Sequence, residues 1–182
     1  MKINQHVTGI RARWLKNPVQ SHPYRTWLIE ADSLTARLQK RYADFRVQAV
    51  RVSAQKPSHE EADLLHVAVR ENAQIREVLL FGNAKAVVFA HSVLPYKSLR
   101  GAWRSLGRLG NKPLGAVLFA NPNVKRTPLA YKKLSLNHSL YQAAIKHLSE
   151  KPDYLWARRS IFSLNCASIM VVEIFLPALI KS

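Results

Sequence analysis

Cysteine is nearly missing from this chain: one residue, Cys166, among 182. An internal disulfide is therefore excluded, and the usage fits a reducing compartment. Glycine is scarce as well. Its six residues form no Gly-x-Gly-x-x-Gly, P-loop or Gly-x-Ser-x-Gly pattern, which leaves nucleotide-fold and serine-hydrolase readings without local support. The seven histidines include no His-x-His or His-Glu-x-x-His, so no metal-ligand spacing exists. Cys166 has no neighbour in sequence that would activate a thiol, and it reads as an incidental turn residue rather than a nucleophile. No Pro-, Gly- or Ser-rich linker, fixed-period repeat or low-complexity tract interrupts the chain. The longest apolar stretch, 169–179, is too short to span a bilayer and carries Glu173 and Pro177. The start, Met1 to His6, leads into Arg11, Arg13 and Lys16 rather than the apolar middle of a secretory signal. These absences predict one cytoplasmic domain over 1–182, with no transmembrane segment. Any chemistry is expected to be cofactor-free and metal-free, built from Arg, Glu and backbone amides.

Acidic residues are few too. Eleven Asp and Glu against 28 Lys and Arg give +17, a field that attracts anions in general. The basic residues are scattered, and Arg100, Arg104 and Arg108 are the group most nearly spaced along one helical face, although Gly101 and Gly107 weaken that helix. No helix-turn-helix, zinc-finger or RNP-like pattern accompanies the charge, so no specific nucleic-acid partner is expected. Collecting a small polyanionic substrate is an equally physical use of it.

What is present is a carboxylate in an apolar strand. Glu173 lies within Ile169-Met170-Val171-Val172-Glu173-Ile174-Phe175-Leu176, where both period-two sets are apolar. A carboxylate there must be paired, protonated or facing a polar cavity, because an unpaired buried charge costs several kcal/mol. Gln74 to Phe81 makes the mirror argument: Arg76 alternates with Val78 and Leu80, and Glu77 with Ile75, Leu79 and Phe81, so one of the two charges points inward. A guanidinium on an inner face offers a planar fork for a carboxylate. An ion pair between Arg76 and Glu173 across the sheet is the structural reading; a ligand site is the functional one.

The remaining pattern predicts α+β architecture, a single antiparallel sheet of about six strands packed with helices. Helix in two pieces is expected over 27–42, broken and capped at Asp32-Ser33, which leaves the Leu34 N–H in a first turn without an intrahelical partner. Strands are expected over 44–54, 75–81, 86–94, 124–134, 154–164 and 168–176, the fourth interrupted at Pro128. Ser58 and Glu61 form a capping-box pattern. Helix is expected over 96–109 and 139–148, and Pro113 opens another, placing the Leu114 N–H at a helix N-terminus where free donors and the dipole favour an anion.

Four blocks then carry a family resemblance: Glu30-Ala-Asp-Ser-Leu-Thr-Ala-Arg37; Ile75-Arg-Glu-Val-Leu-Leu80 through Phe89-Ala-His-Ser-Val-Leu-Pro95; Leu109-Gly-Asn-Lys-Pro-Leu-Gly-Ala-Val-Leu-Phe119; and Leu155-Trp-Ala-Arg-Arg-Ser160 with Glu173-Ile-Phe-Leu-Pro-Ala178. In order and spacing the chain resembles the chorismate pyruvate-lyases, which make 4-hydroxybenzoate for ubiquinone synthesis. The resemblance implies an antiparallel sheet with helices enclosing a small internal site, acting on chorismate and releasing pyruvate and 4-hydroxybenzoate as a monomer without cofactor. Carried over, Arg76 clamps the ring carboxylate with help from the Leu114 N–H. Glu173 meets the ring hydroxyl and reaction centre, and Leu34 contacts the ligand through its backbone. His91 stands where some members have Arg, either as an anion contact or as a satisfied strand histidine. Related folds serve as effector domains of transcription regulators, so a non-catalytic sensor of small aromatic acids is the alternative.

Overall fold

Two β-hairpins with two-residue turns organise the protein, seen in a computed structural model that describes residues 13–181. The opening segment Met1 to His6, Arg11 and Ser182 lie outside the described residues. Strands β2 (Ala73–Gly82) and β3 (Lys85–Pro95) are joined through Asn83 and Ala84, whose φ values of 51° and 59° suit the twist of a hairpin. The Asp44 carboxylate accepts from both turn amides, at 2.6 and 2.7 Å. Strands β6 (Tyr154–Leu164) and β7 (Ala167–Phe175) turn through Asn165 and the exposed Cys166, again at positive φ. Antiparallel pairing of β3 with β7 joins the hairpins and sets Ala90 opposite Glu173.

The edges complete one antiparallel sheet. β1 (Arg46–Gln55) pairs β2 and bulges between Ala49 and Arg51. On the other side β4 (Lys125–Arg126) and β5 (Ala130–Ser135) both pair β6. The order is β1-β2-β3-β7-β6-β4, with β5 also on β6, seven strands among the described residues. The expected fourth strand is therefore two. Arg126 pairs Phe162 and Ala130 pairs Arg159, four steps along one chain against three along β6, so a residue bulges where Pro128 has no N–H to offer.

Helices cover both faces: α1 (Arg25–Leu28), α2 (Leu34–Arg41), α3 (His59–Leu65), α4 (Tyr96–Arg100), α5 (Leu114–Ala120), α6 (Ser139–Ile145) and α7 (Ala178–Lys181). The helix expected over 96–109 breaks at Gly101 and resumes as a 3-10 turn, Arg104–Arg108. Ser58 and Glu61 do form a reciprocal capping box on α3. Among the described residues no helix is long and apolar enough to cross a membrane.

Period-two alternation divides the core. One face carries Ile75, Leu79, Phe89, Val93, Leu155, Ala157, Met170, Val172 and Ile174 against Leu65 of α3 and Tyr141, Ala144 and Ile145 of α6. The other face holds two clusters. Val78, Leu80, Val88, Trp156 and Phe175 pack with Leu28, Leu34 and Leu38, while Leu94, Phe162 and Ile169 pack with Leu99, Trp103, Leu114 and Leu118. The candidate site lies between them.

Candidate active site

Because β2, β3, β7 and β6 run side by side, their even or odd residues on one face converge: Arg76, Val78 and Leu80; Ala90 and Ser92; Val171 and Glu173; Arg158, Ser160 and Phe162. Opposite stand the first residues of two helices, Ser33, Leu34 and Thr35 of the α2 start and Pro113, Leu114 and Gly115 of the α5 start, with Arg126 of β4 at the side. Together they line a cleft of about 600 Å³, open mouth included. Gly115 permits the two helix starts to meet: a Cβ built on it would lie 3.1 Å from Thr35 Oγ1. Ser33 caps α2 by accepting from the Ala36 N–H. The Leu34 and Leu114 N–H groups, at first helical positions, precede the intrahelical ladder.

Four of the sequence-predicted residues, Leu34, Arg76, Leu114 and Glu173, thus line one cleft. Arg76 and Glu173 do not pair with each other. Arg76 is 2% exposed and donates through Nη2 to the carbonyls of Gly110 and Lys112, both at 2.9 Å. Among the described residues it has no carboxylate within ion-pair distance, and its Nε is buried without an acceptor. Burial in apolar surroundings holds its pKa below the usual arginine range. A buried cation without a counter-charge is costly, and an acceptor at its Nε would lower that cost.

Glu173 instead accepts from Arg158 Nε at 2.5 Å, directly across the β6–β7 ladder. Arg158, 1% exposed, also donates through Nη1 to the carbonyls of Trp27, Leu28 and Glu30, while its Nη2 is buried without a partner. Arg126 donates through Nε to Ser160 Oγ at 3.0 Å and through Nη1 to the Ala31 carbonyl, beside the edge-to-face rings of Phe119 and Phe162. Burial lowers its pKa and the neighbouring Arg158 adds to this, against the opposing charge of Glu173. Sequence reasoning gave neither Arg126 nor Arg158 a role. Three guanidiniums against one carboxylate leave the cleft doubly positive, a match for a dianion.

His91 is not brought to this cleft. It lies on the opposite face of β3, where Nδ1 bonds Glu77 and Nε2 bonds Glu61, each at 3.1 Å, with Arg51 3.9 Å from Glu77. Both charges of the Arg76–Glu77 pair are therefore buried, one on each face, rather than one in and one out. Burial disfavours the imidazolium, but the two carboxylates outweigh it and hold the His91 pKa at about 9. Among the described residues, no three His, Cys, Asp or Glu side chains gather at a potential metal site.

A family model described as chorismate lyase matches residues 6–182, and the chain belongs to this family. It is 46% identical over 172 residues to a protein of Methylobacillus flagellatus named "Probable chorismate pyruvate-lyase", covering 94% of this chain and 97% of that one. It is 48% identical over 158 residues to a protein of the same name from Nitrosospira multiformis, with coverage of 86% and 88%. In fold it is similar to the effector domain of PhnF from Mycobacterium smegmatis: TM-score 0.58 at 12% identity, covering 81% of this chain and 90% of that one.

Proposed function

We propose that this protein is a chorismate pyruvate-lyase, a cofactor-independent carbon–oxygen lyase that forms 4-hydroxybenzoate for ubiquinone biosynthesis. The observation that carries the reading is the presence, in one cleft, of a buried Arg76 lacking a carboxylate partner and of the Glu173 carboxylate, held apart from it by Arg158. The ring carboxylate of chorismate sits on Arg76 and the Leu114 N–H, with the Leu34 backbone against the ligand. Glu173, oriented by Arg158, takes the hydroxyl at the far end of the ring. In the reaction the C–H bond at the hydroxyl-bearing carbon breaks and its electrons complete the aromatic ring. The neighbouring ether C–O bond breaks with its pair on oxygen, and the departing enolpyruvate takes up a proton to become pyruvate. Aromatisation supplies the driving force, so the protein holds one conformer and stabilises shifting charge. On this reading Glu173 bonds the hydroxyl and carries the proton, the alternative being an intramolecular hydrogen transfer that Glu173 only orients.

Residues 1–182 form, on this reading, a single monomeric domain working in the cytoplasm. Incubation with chorismate tests the function: pyruvate and 4-hydroxybenzoate are expected in equal amounts. Tight binding of chorismate or 4-hydroxybenzoate with no pyruvate would instead mark a sensor.

A further inference from the structure

The order of charges along the sheet contains more than the ring site. Arg76 is on β2, Glu173 on β7, Arg158 on β6 and Arg126 beside β6 on β4, so the cleft runs from one cation, past the acid, to two others. Chorismate has the same sequence of groups: a ring carboxylate at one end, the hydroxyl at the other, and beside the hydroxyl an enolpyruvyl ether with its own carboxylate. Arg76 answers the first carboxylate only. At the other end Arg158 is committed to Glu173 and to three backbone carbonyls, leaving one buried Nη2 unpartnered. Arg126 has no carboxylate within ion-pair distance among the described residues. Its guanidinium is held by the buried Ser160 hydroxyl and the Ala31 carbonyl beside the edge-to-face rings of Phe119 and Phe162, so little freedom remains to be lost on binding.

We propose that Arg126, positioned by Ser160 and backed by Arg158, is the subsite for the carboxylate of the departing enolpyruvyl group, and so selects chorismate over monocarboxylate aromatics. The inference rests on the lyase reading. A planar fork there binds the carboxylate and lies next to the ether oxygen on which charge gathers as the C–O bond breaks. Ser160 is a positioning residue, because it fixes Arg126 Nε.

The product supplies the internal control, since 4-hydroxybenzoate keeps the ring carboxylate and lacks the other. Arg126→Gln is expected to raise the KM for chorismate about ten- to a hundredfold, the worth of a charged hydrogen-bonded contact. The inhibition constant of 4-hydroxybenzoate stays unchanged, whereas Arg76→Gln weakens both. Ser160→Ala moves chorismate in the same direction by less. Equal weakening of chorismate and 4-hydroxybenzoate by Arg126→Gln would reduce Arg126 to a structural part, and an unchanged KM would remove it from the site. If that variant does not fold, Arg126→Lys, which keeps charge and loses the fork, carries the same comparison. Should the parent protein release no pyruvate, the lyase reading fails by itself. Calorimetric titration of both compounds into parent and variant then decides the subsite without turnover, and equal losses for the two overturn it.

Discussion

Glu173 is both the acid of the proposed reaction and the anchor of Arg158, and its replacement separates two effects. Glu173→Gln keeps an oxygen for Arg158 Nε and removes the charge that would accept a proton. The expected outcome is a fall in kcat of about 10²–10⁴, with 4-hydroxybenzoate still bound, checked by steady-state kinetics with product inhibition. A variant that made 4-hydroxybenzoate at the parent rate would take Glu173 out of the proton chemistry. Glu173→Leu differs in kind: it strands the Arg158 guanidinium in the core, and the cost is on the order of 3–5 kcal/mol of stability, read as a lowered denaturant midpoint.

At the scale of elements, hairpins decide which side chains meet. Counting seven residues out from each side of the Asn165-Cys166 turn reaches Arg158 and Glu173, which face each other. A three-residue turn ending at Ala167, as the sequence reading has it, shifts the ladder by one and aims Arg159 at Glu173 instead. That single step is why Arg158 was illegible although both strands were legible. The buried charges of Arg76 and Glu173 and the helix starts at Leu34 and Leu114 were legible as local signals, whereas their gathering in one cleft was implied by the family resemblance. Arg126 was not, since its place depends on a bulge at Pro128 and on a partner, Ser160, 34 residues away. The β2–β3 hairpin has its own constraint: a Cβ on Gly82 would fall 2.3 Å from the buried Tyr42 ring. Gly82→Ala is expected to cost about 1–3 kcal/mol in chemical unfolding.

For the whole molecule, the cluster of Glu61, His91, Glu77 and Arg51 ties α3 to the back of the sheet and gives stability a pH signature. His91 rises from 6.5 to about 9 on folding, so its contribution is complete below 6.5 and fades as pH climbs through 9. For Glu61 burial opposes a fall from 4.5 that the bond to His91 drives, and for Glu77 the bond to His91 drives the same fall against burial. Their contribution is present above 4.5 and lost as pH falls. The thermal midpoint is therefore expected to peak between about 4.5 and 6.5 and decline toward alkaline pH. His91→Gln should lower the peak and flatten the alkaline decline, as seen by calorimetry across pH. The net charge of +17 acts at longer range. Raising ionic strength is expected to reduce kcat/KM for a dianionic substrate more than kcat, because screening weakens attraction before binding.

The two arginines at the heart of the cleft also fasten its rim. Arg76 holds the carbonyls of Gly110 and Lys112, and Arg158 holds those of Trp27, Leu28 and Glu30, stretches that no strand ladder secures. Changing either side chain thus loosens a doorway as well as a grip. Deuterium uptake around 27–30 would rise in Arg158→Lys and around 110–112 in Arg76→Lys, each leaving the other segment as slow as before.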